Sequence, residues 1–385
     1  MVSAPEGLSV VVVGLGFGSD FLPVYLSHPD VARVGICDPD AGRLDTVGEQ
    51  YGLHDRFETL EDVLGDDRWD AVHLLSPVAF HADQVAQVLR AGKHCACAVP
   101  MATSLADIHR LIAAQRASGR NYMMMETAVY GREYFYARHL RDSGALGPLT
   151  FLRGYHIQDL HGFPSYWWGF PPMYYVTHAL SPLLALADTR AVTVRCLGSG
   201  RLREDLVHDY DNPFPLETAQ FQLADGGLAA EVTMAFHHTG RAYQEGFSVY
   251  GHDGGFEWEQ VEGEGPVRFS MGPQEAGRRG RAAESRRVDL PDFGARLPQE
   301  IRRFTRPTTF DPGHGTPFEV GAHHGGSHPH LVHEFVRSIV EGRTPAVDAL
   351  TAAAWTAPGV CAHESAMRGG EAVEIPDFTS GTTGE

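Results

Sequence analysis

Residues 8–19 read LSVVVVGLGFGS, and this stretch decides the fold of the N-terminal part of the chain. Five of its first six residues are apolar and four of them are β-branched valines, which is typical of a buried parallel strand. Glycines follow at once at positions 14, 16 and 18, and residues 21–29 indicate a short helix. A strand, a glycine-rich turn and a helix begin a dinucleotide-binding Rossmann domain, where backbone N–H groups at the helix N-terminus bind a pyrophosphate.

The glycine-rich turn departs from the usual Gly-x-Gly-x-x-Gly pattern, because Ser19 stands where the third glycine is expected. Taken alone, such a motif can be a turn without function. Asp38 strengthens the functional interpretation, because it ends the next predicted strand, residues 33–37. A carboxylate there accepts hydrogen bonds from ribose hydroxyls and repels a 2′-phosphate, although Asp38 could also be a turn residue. The pattern predicts NAD, bound by Gly14, Gly16, Phe17, Gly18, Ser19 and Asp38.

Strands and helices alternate up to residue 126, which predicts a doubly wound parallel sheet. Further strands are predicted at 71–75, 94–98 and 122–126, and helices at 81–91 and 104–118. We therefore expect an N-terminal Rossmann domain over residues 1–126.

After residue 126 the pattern changes to consecutive strands joined by glycine-rich turns at 224–227 and 252–255, which favours a mainly antiparallel sheet. The predicted second domain, residues 127–385, is an α+β domain with an open sheet for substrate binding and oligomerisation. Residues 270–327 show little periodicity and are interpreted as a lid or an oligomer arm. The predicted strands are 149–157, 191–198, 218–222, 228–236, 246–250 and 255–259, with helices at 172–187, 330–341 and 346–367.

Composition limits the classes of function. The 385 residues carry a net charge of −18, which disfavours nucleic acid as a partner. The five cysteines have no disulfide or zinc spacing and are expected to be free thiols. No signal peptide or membrane-spanning stretch is seen, so the chain is predicted to be cytoplasmic, with no membrane partner. Lys93 is the single lysine, and we expect no metal site.

The motif Ser76-Pro77-x-x-x-His81, followed by Ala91-Gly92-Lys93-His94, resembles the Gfo/Idh/MocA oxidoreductases along essentially the whole chain. That resemblance implies a Rossmann domain followed by an open, mainly antiparallel sheet. The sequence departs from the family at two catalytic positions. Ala98-Val99-Pro100 replaces Glu-Lys-Pro, which removes the usual lysine, and Tyr174 replaces the aspartate four residues before His178.

A narrower resemblance is to the NAD-dependent glycoside hydrolases of the same superfamily, which include α-N-acetylgalactosaminidases and sulfoquinovosidases. It implies that Tyr130 and His178 are catalytic and that Ser76, His81, Val99, Glu126 and Trp355 contact the cofactor. Without the resemblance, Tyr130 and His178 could equally be packed side chains. The motifs are Val99-Pro100, Met124-Met125-Glu126, Tyr130-Gly131-Arg132, Tyr175-x-Thr177-His178, His324-Gly325-Gly326 and Ala353-Ala354-Trp355.

The implied reaction is hydrolysis without net consumption of NAD. A hydride leaves the sugar C3, the ketone acidifies the C2 proton, the aglycone at C1 is eliminated, water adds and the hydride returns. One alternative is a sugar or cyclitol dehydrogenase that lacks the usual lysine. The other is an NAD-binding protein without catalysis.

Candidate substrate residues surround His178 in the sequence. The predicted helix 172–187 would place Tyr174, His178 and Ser181 on one face. Aromatic residues in the loop 163–170 stack well on sugars but could also form an oligomer interface. We expect a small sugar or glycoside as the partner and, by family analogy, a homodimer or homotetramer. The candidate substrate-binding residues are Tyr174, Tyr175, His156, Asp159, Arg241 and His324.

Overall fold

The structure is a computed structural model that describes residues 7–207, 210–224 and 226–378. The chain forms two compact units. The first comprises Met1–Tyr130 with Asp292–Ala353, and the second Gly131–Pro291 with Ala354–Glu385. Asp225, within one predicted turn, lies outside the described residues.

The first unit contains a six-stranded parallel sheet in the order β3-β2-β1-β4-β5-β6, the strand order of a Rossmann fold. Its central strand is the LSVVVV run, which is buried after its first residue. The predicted fold of this part is confirmed. The strands are β1 (Leu8–Val13), β2 (Val31–Cys37), β3 (Arg56–Phe57), β4 (Ala71–Leu74), β5 (His94–Cys97) and β6 (Tyr122–Met124).

Helices connect these strands, and some of them begin at a side-chain N-cap. The Asp40 side chain accepts a hydrogen bond from the N–H of Arg43, and Ser104 accepts one from Asp107, so both act as N-caps. The helices are α1 (Leu15–Gly18), α2 (Leu22–Ser27), α3 (Ala41–Tyr51), α4 (Leu60–Leu64), α5 (His81–Arg90) and α6 (Leu105–Ser118). Of these, α3 and α4 were not among the predicted elements.

The second unit is built on strands of the central part of the chain. The segment 270–327 is not wholly irregular, because a strand that begins at Val267 ends within it and pairs with a second strand over residues 283–287. Every residue of the second strand is exposed, so no apolar alternation marks it. The elements are α7 (Arg132–Asp142), β7 (Leu149–Ile157), α8 (Thr177–Ala187), β8 (Ala191–Ser199), β9 (Leu216–Leu223), β10 (Ala229–Ala235), β11 (Gln244–Gly251), β12 (Gly254–Glu257), β13 (Val267–Met271) and β14 (Ala283–Arg287).

Residues 292–353 pack with the first unit, so the compact units differ from the predicted division at residue 126. Aromatic packing holds this return segment, because Phe310 and Phe318 lie 5.8 Å and 5.3 Å from the Tyr51 ring. Its elements are α9 (Gln299–Arg302), β15 (Thr308–Phe310), β16 (Phe318–Val320), α10 (His323–Gly326) and α11 (His328–Val340).

The chain ends with α12 (Ala349–Met367) and β17 (Val373–Glu374). The larger sheet has the order β14-β13-β12-β11-β7-β10-β9-β8-β17, and only β7 and β10 pair in parallel. The predicted open, mainly antiparallel sheet is therefore confirmed. Within the described ranges, no helix combines the length and apolar character needed to cross a membrane.

Candidate functional site

The glycine-rich turn of the first unit has the geometry that a pyrophosphate needs. Gly14 has a φ of 88°, and a Cβ there would lie 2.7 Å from the Leu75 carbonyl. A Cβ on Gly16 would meet nothing within 4 Å, which leaves open space for a ligand. A Cβ on Gly18 would lie 2.9 Å from a Val12 methyl carbon, so Gly18 lets the helix pack on β1. Gly18 thus takes the packing role of the third fingerprint glycine, while Ser19 begins a 3-10 turn.

Asp38 lies at the end of β2, beside this turn. Its carboxylate is buried and accepts hydrogen bonds from the N–H groups of Leu15 (2.8 Å) and Asp40 (2.9 Å). Arg43 also approaches it, at 3.3 Å. The carboxylate therefore orients the glycine-rich turn directly, a role that the sequence pattern did not indicate.

The exposed ring of Phe17 belongs to a histidine-rich cluster of the first unit. His324 and His328 contact it edge-on, with ring centroids 5.9 Å and 5.7 Å away. His324 has a φ of 47°, a conformation that is uncommon for a residue with a side chain. The structure thus places His324, predicted to bind substrate, against the glycine-rich turn of the proposed cofactor site.

Ser76 and His81 lie at the carboxyl end of β4, as the motif predicts. Both ring nitrogens of His81 face backbone oxygens, at 2.8 Å from Pro100 and 2.9 Å from Ser76. Burial lowers the pKa of His81, and its two backbone contacts act in the opposite direction. His81 therefore ties the Ser76 segment to the segment containing Val99, which is also buried.

Three further predicted residues lie on separate segments. Glu126 is fully buried and accepts a hydrogen bond from the N–H of Ala128 (3.0 Å). Tyr130 ends the 3-10 turn that follows, with its N–H bonded to Thr127 (3.0 Å). Trp355 lies on α12, in the part that belongs to the second unit, and is buried.

Lys93 is a structural residue. Its ammonium donates hydrogen bonds to the carbonyl oxygens of Asp66 and Trp69, both at 2.9 Å. Burial lowers the pKa of Lys93. Because Lys93 is the single lysine of the chain, acid–base chemistry here depends on other groups.

In the second unit, His178, Tyr175 and His156 form one cluster, which we call the imidazole cluster. The ring of His178 lies 4.9 Å from Tyr175 and 5.5 Å from His156. Both histidines are buried. The structure therefore brings together three of the residues that the sequence singles out.

Backbone packing positions this cluster. Helix α8 lies directly on β7, because the absence of a side chain at Gly154 allows the Ala179 carbonyl to approach the strand. Ala179 follows His178, and His156 lies two residues beyond Gly154 on the same strand. The close approach therefore brings the two imidazoles together.

Sequence reasoning missed Glu245, which supplies a carboxylate to the imidazole cluster. Its Oε1 lies 3.7 Å from Nδ1 of His178, and its Oε2 accepts a hydrogen bond from the Tyr243 hydroxyl at 2.7 Å. Glu245 pairs across the strands with His156. No motif marks Glu245, because only the register of β11 against β7 brings it near His178.

Tyr174 does not share a helical face with His178, contrary to the prediction. Helix α8 begins at Thr177, and Tyr174 belongs to a preceding 3-10 turn. Its ring packs 5.1 Å from His363. His363 in turn contacts Glu217, with Nδ1 2.7 Å from Oε1. The carboxylate that approaches His178 comes from another strand, at Glu245 of β11.

The aromatic loop lies next to the imidazole cluster. The ring of Trp167 is 5.3 Å from Tyr175 and 6.2 Å from Phe236. Phe163 and Tyr166 of the same loop are exposed. The loop therefore presents aromatic surface continuous with buried rings, which suits the apolar faces of a sugar.

Asp159 and Arg241 have local partners. The carboxylate of Asp159 accepts a hydrogen bond from the N–H of His161 at 3.1 Å, in an exposed turn. The guanidinium of Arg241 bonds the carbonyl oxygens of Ala242 and Gln260. The substrate-binding roles of Asp159 and Arg241 stay predictions. Among the residues that the structure describes, no group of three or more metal-ligating side chains is arranged to hold a metal ion.

Comparison with known families accounts for both ends of the chain. Residues 8–126 match the oxidoreductase family Gfo/Idh/MocA, NAD-binding Rossmann fold, and residues 316–384 match the glycosyl hydrolase 109 C-terminal domain. The predicted resemblance is confirmed, and so is NAD as the cofactor of the Rossmann domain.

Relatives extend the match along the chain. A glycosyl hydrolase family 109 protein of Saccharopolyspora erythraea is 23% identical, over 98% of this chain and 84% of its own. An inositol 2-dehydrogenase of Salmonella typhimurium is 28% identical, over 39% of this chain and 46% of its own. The structure of a levoglucosan dehydrogenase with NADH and levoglucosan superposes with a TM-score of 0.75, at 17% identity, over 97% of this chain and 100% of that one.

Proposed function

We propose, from the NAD-binding Rossmann domain and the glycosyl hydrolase 109 C-terminal domain of this chain, that the protein is an NAD-dependent glycoside hydrolase. It would cleave a glycoside by transient oxidation at C3, elimination of the aglycone, addition of water and re-reduction. The sugar, its anomeric configuration and its aglycone are left open by this proposal.

The observation that carries the proposal is the pairing of His178 with Glu245. Dehydrogenases of the family that this sequence resembles usually have a catalytic lysine. The single lysine of this chain, Lys93, is instead held by two backbone carbonyl oxygens. An imidazole titrates near neutrality and so suits the removal of a hydroxyl proton. A carboxylate 3.7 Å away stabilises the imidazolium that forms.

The residues would divide the work as follows. Gly14, Gly16 and Asp38 would hold NAD, with the open space at Gly16 next to the pyrophosphate. When bound, NAD supplies a hydride acceptor for C3 and later returns the hydride. His178 would accept the C3 hydroxyl proton and return it, and Tyr130 would act on the C2 proton.

A sugar or cyclitol dehydrogenase is the second candidate. The similarity to an inositol 2-dehydrogenase favours it, because the sequence identity is 28% over the region matched, against 23% for the glycosyl hydrolase family 109 relative. The glycosyl hydrolase relative matches 98% of the chain, and the hydrolase domain model matches its C-terminal part. These two observations support the hypothesis of a glycoside hydrolase over that of a dehydrogenase.

A glycoside panel tests the proposal. The protein is incubated with NAD far below the substrate concentration, and sugar release and NADH absorbance at 340 nm are followed together. The proposal expects many turnovers per NAD with a flat absorbance. NADH that accumulates in step with an oxidised product would contradict it and support the dehydrogenase.

A further inference from the structure

The carboxyl groups of Glu133 and Glu259 lie near that of Glu245 in the second unit. Glu133 lies in the first turn of α7, and its Oε2 atom is buried. Among the described residues this oxygen has no hydrogen-bond partner. The charges that act on the Glu133 carboxyl are those of Arg132, on its own helix, and of Glu245 and Glu259 on the sheet side.

The other two carboxylates accept hydrogen bonds. Glu245 accepts one from the Tyr243 hydroxyl (2.7 Å) and faces His178, while Glu259 accepts one from the N–H of Gly265 (2.7 Å). Donors of this kind stabilise a carboxylate in its charged form. Glu133, which has a buried oxygen without a donor, is the member of the group that most favours the neutral acid.

We propose that Glu133 is a protonated carboxylic acid in the resting protein and is the proton donor to the departing aglycone oxygen. This proposal rests on the proposed function. It gives the elimination step an acid that neither the sequence motifs nor the family comparisons assign.

Electrons and protons balance both in the elimination of the aglycone and in the addition of water. As a base removes the C2 proton, the C2–H electron pair forms the C1–C2 double bond and the C1–O bond breaks. The aglycone oxygen keeps the C1–O electron pair and takes the proton from Glu133. Water then adds to C1, and the C1–C2 π electrons form a C2–H bond with a proton returned by the base. The Glu133 carboxylate removes a proton from the added water, which restores the acid.

The titration of Glu133 agrees with this assignment. Burial, with the nearby charges of Glu259 and Glu245, raises the pKa of Glu133 from the ordinary 4.5 to about 7. A hydrogen bond from its own backbone N–H and the charge of Arg132 act in the opposite direction. An acid with a pKa near the working pH is suited to general acid catalysis. The same group can therefore donate a proton and recover it near neutrality.

A stability measurement tests the protonation without substrate. A raised pKa in the folded state stabilises the fold at low pH, and this stabilisation is lost as pH rises from about 4.5 through 7. Urea unfolding of the holoprotein at pH 5 and pH 8 should therefore show that Glu133→Gln gains stability relative to wild type between pH 5 and pH 8. Glu264→Gln, at an exposed ion pair with Arg287, should track wild type at both pH values.

Leaving-group dependence tests the catalytic role. Glu133→Gln should lower kcat/KM for an alkyl glycoside by about 10²–10⁴-fold, because a poor leaving group needs the acid. For the p-nitrophenyl glycoside, whose p-nitrophenolate group leaves without protonation, the loss of kcat/KM should be only a few-fold. Glu264→Gln should leave both values unchanged.

Two results would overturn the proposal: an equal loss for both glycosides, or a Glu133→Gln protein that gains no stability relative to wild type between pH 5 and pH 8. If the wild-type protein releases no aglycone from any glycoside, the proposed function fails, and the donor role of Glu133 fails with it. The pH dependence of unfolding would still decide whether Glu133 holds a proton.

Discussion

The second unit contains two buried histidine–glutamate pairs that differ in how completely they are enclosed. His363 lies 2.7 Å from Glu217, and the other oxygen of that carboxylate accepts the N–H of Met173 at 2.8 Å. His178 lies 3.7 Å from Glu245, whose other oxygen bonds Tyr243. We call these the closed pair and the open pair.

The difference lies in the third partner. Glu217 is fully buried, and its second oxygen is bonded to backbone. Tyr243 of the open pair has 52% of its surface exposed. The closed pair therefore holds the 3-10 turn before α8 in place, whereas the open pair is the one to which the proposed function assigns proton exchange with a ligand. Under that proposal, the same two residue types support structure in one place and chemistry in the other.

The largest expected difference concerns activity after loss of each histidine. His178→Asn should lower kcat by about 10²–10⁴-fold, since it removes the proposed acid–base group. His363→Asn should keep kcat per folded molecule within a few-fold of wild type. Steady-state kinetics, with the folded fraction determined by circular dichroism, measure both. Equal losses in the two variants would remove the distinction between the pairs.

The second prediction concerns stability. Glu217→Gln breaks a buried pair and should lower the free energy of unfolding by about 3–5 kcal/mol. Glu245→Gln should cost clearly less, because His178 lies 3.7 Å from Glu245 and its other partner, Tyr243, is half exposed. Urea denaturation of both holoproteins provides the comparison. A greater cost for Glu245→Gln would show that the open pair is the structural one.

The third prediction concerns kcat, for which the two variants should have the opposite order: Glu245→Gln should have the larger effect. Glu245→Gln should lower kcat by about 10–100-fold, because it removes the negative charge 3.7 Å from His178 that would stabilise the proposed imidazolium. Glu217→Gln should leave kcat per folded molecule nearly unchanged. The effect of Glu245→Gln should appear in kcat more than in KM, since the proposed mechanism places a positive charge on His178 only during the reaction cycle. An effect confined to KM would argue for a binding role instead.

The smallest expected effect concerns the tyrosine of each pair. Tyr243→Phe removes one hydrogen bond to Glu245 and should lower kcat about 2–10-fold, corresponding to about 0.5–1.5 kcal/mol. Tyr174→Phe is the matched control, because Tyr174 packs on His363 through its ring, which phenylalanine keeps. If the Tyr174 variant lost as much activity as the Tyr243 variant, the closed pair would take part in the reaction.

The sequence predicts the fold well where apolar runs alternate with helices. The run LSVVVV and the later strands predict the parallel sheet, and the hairpin turns predict the antiparallel one. The edge hairpin β13–β14 escapes prediction, because β14 is exposed along its whole length. The return of residues 292–353 to the first unit escapes it too, since it depends on long-range packing around Tyr51.

The candidate site is predicted less completely than the fold. Motifs on single segments identify His178, Tyr175 and His156, which the structure brings together. No sequence motif identifies Glu245, because its approach to His178 depends on strand register. Tyr174 is assigned to the wrong face, because the sequence pattern does not show that regular helix starts only at Thr177.

The most direct test of transient oxidation follows the C2 hydrogen of the released sugar. The reaction is run in D₂O with a cleaved glycoside and NAD far below the substrate concentration, and the product is examined by NMR. The account predicts deuterium at C2 in every released sugar while NADH absorbance stays flat. A released sugar that keeps its original C2 hydrogen would contradict it.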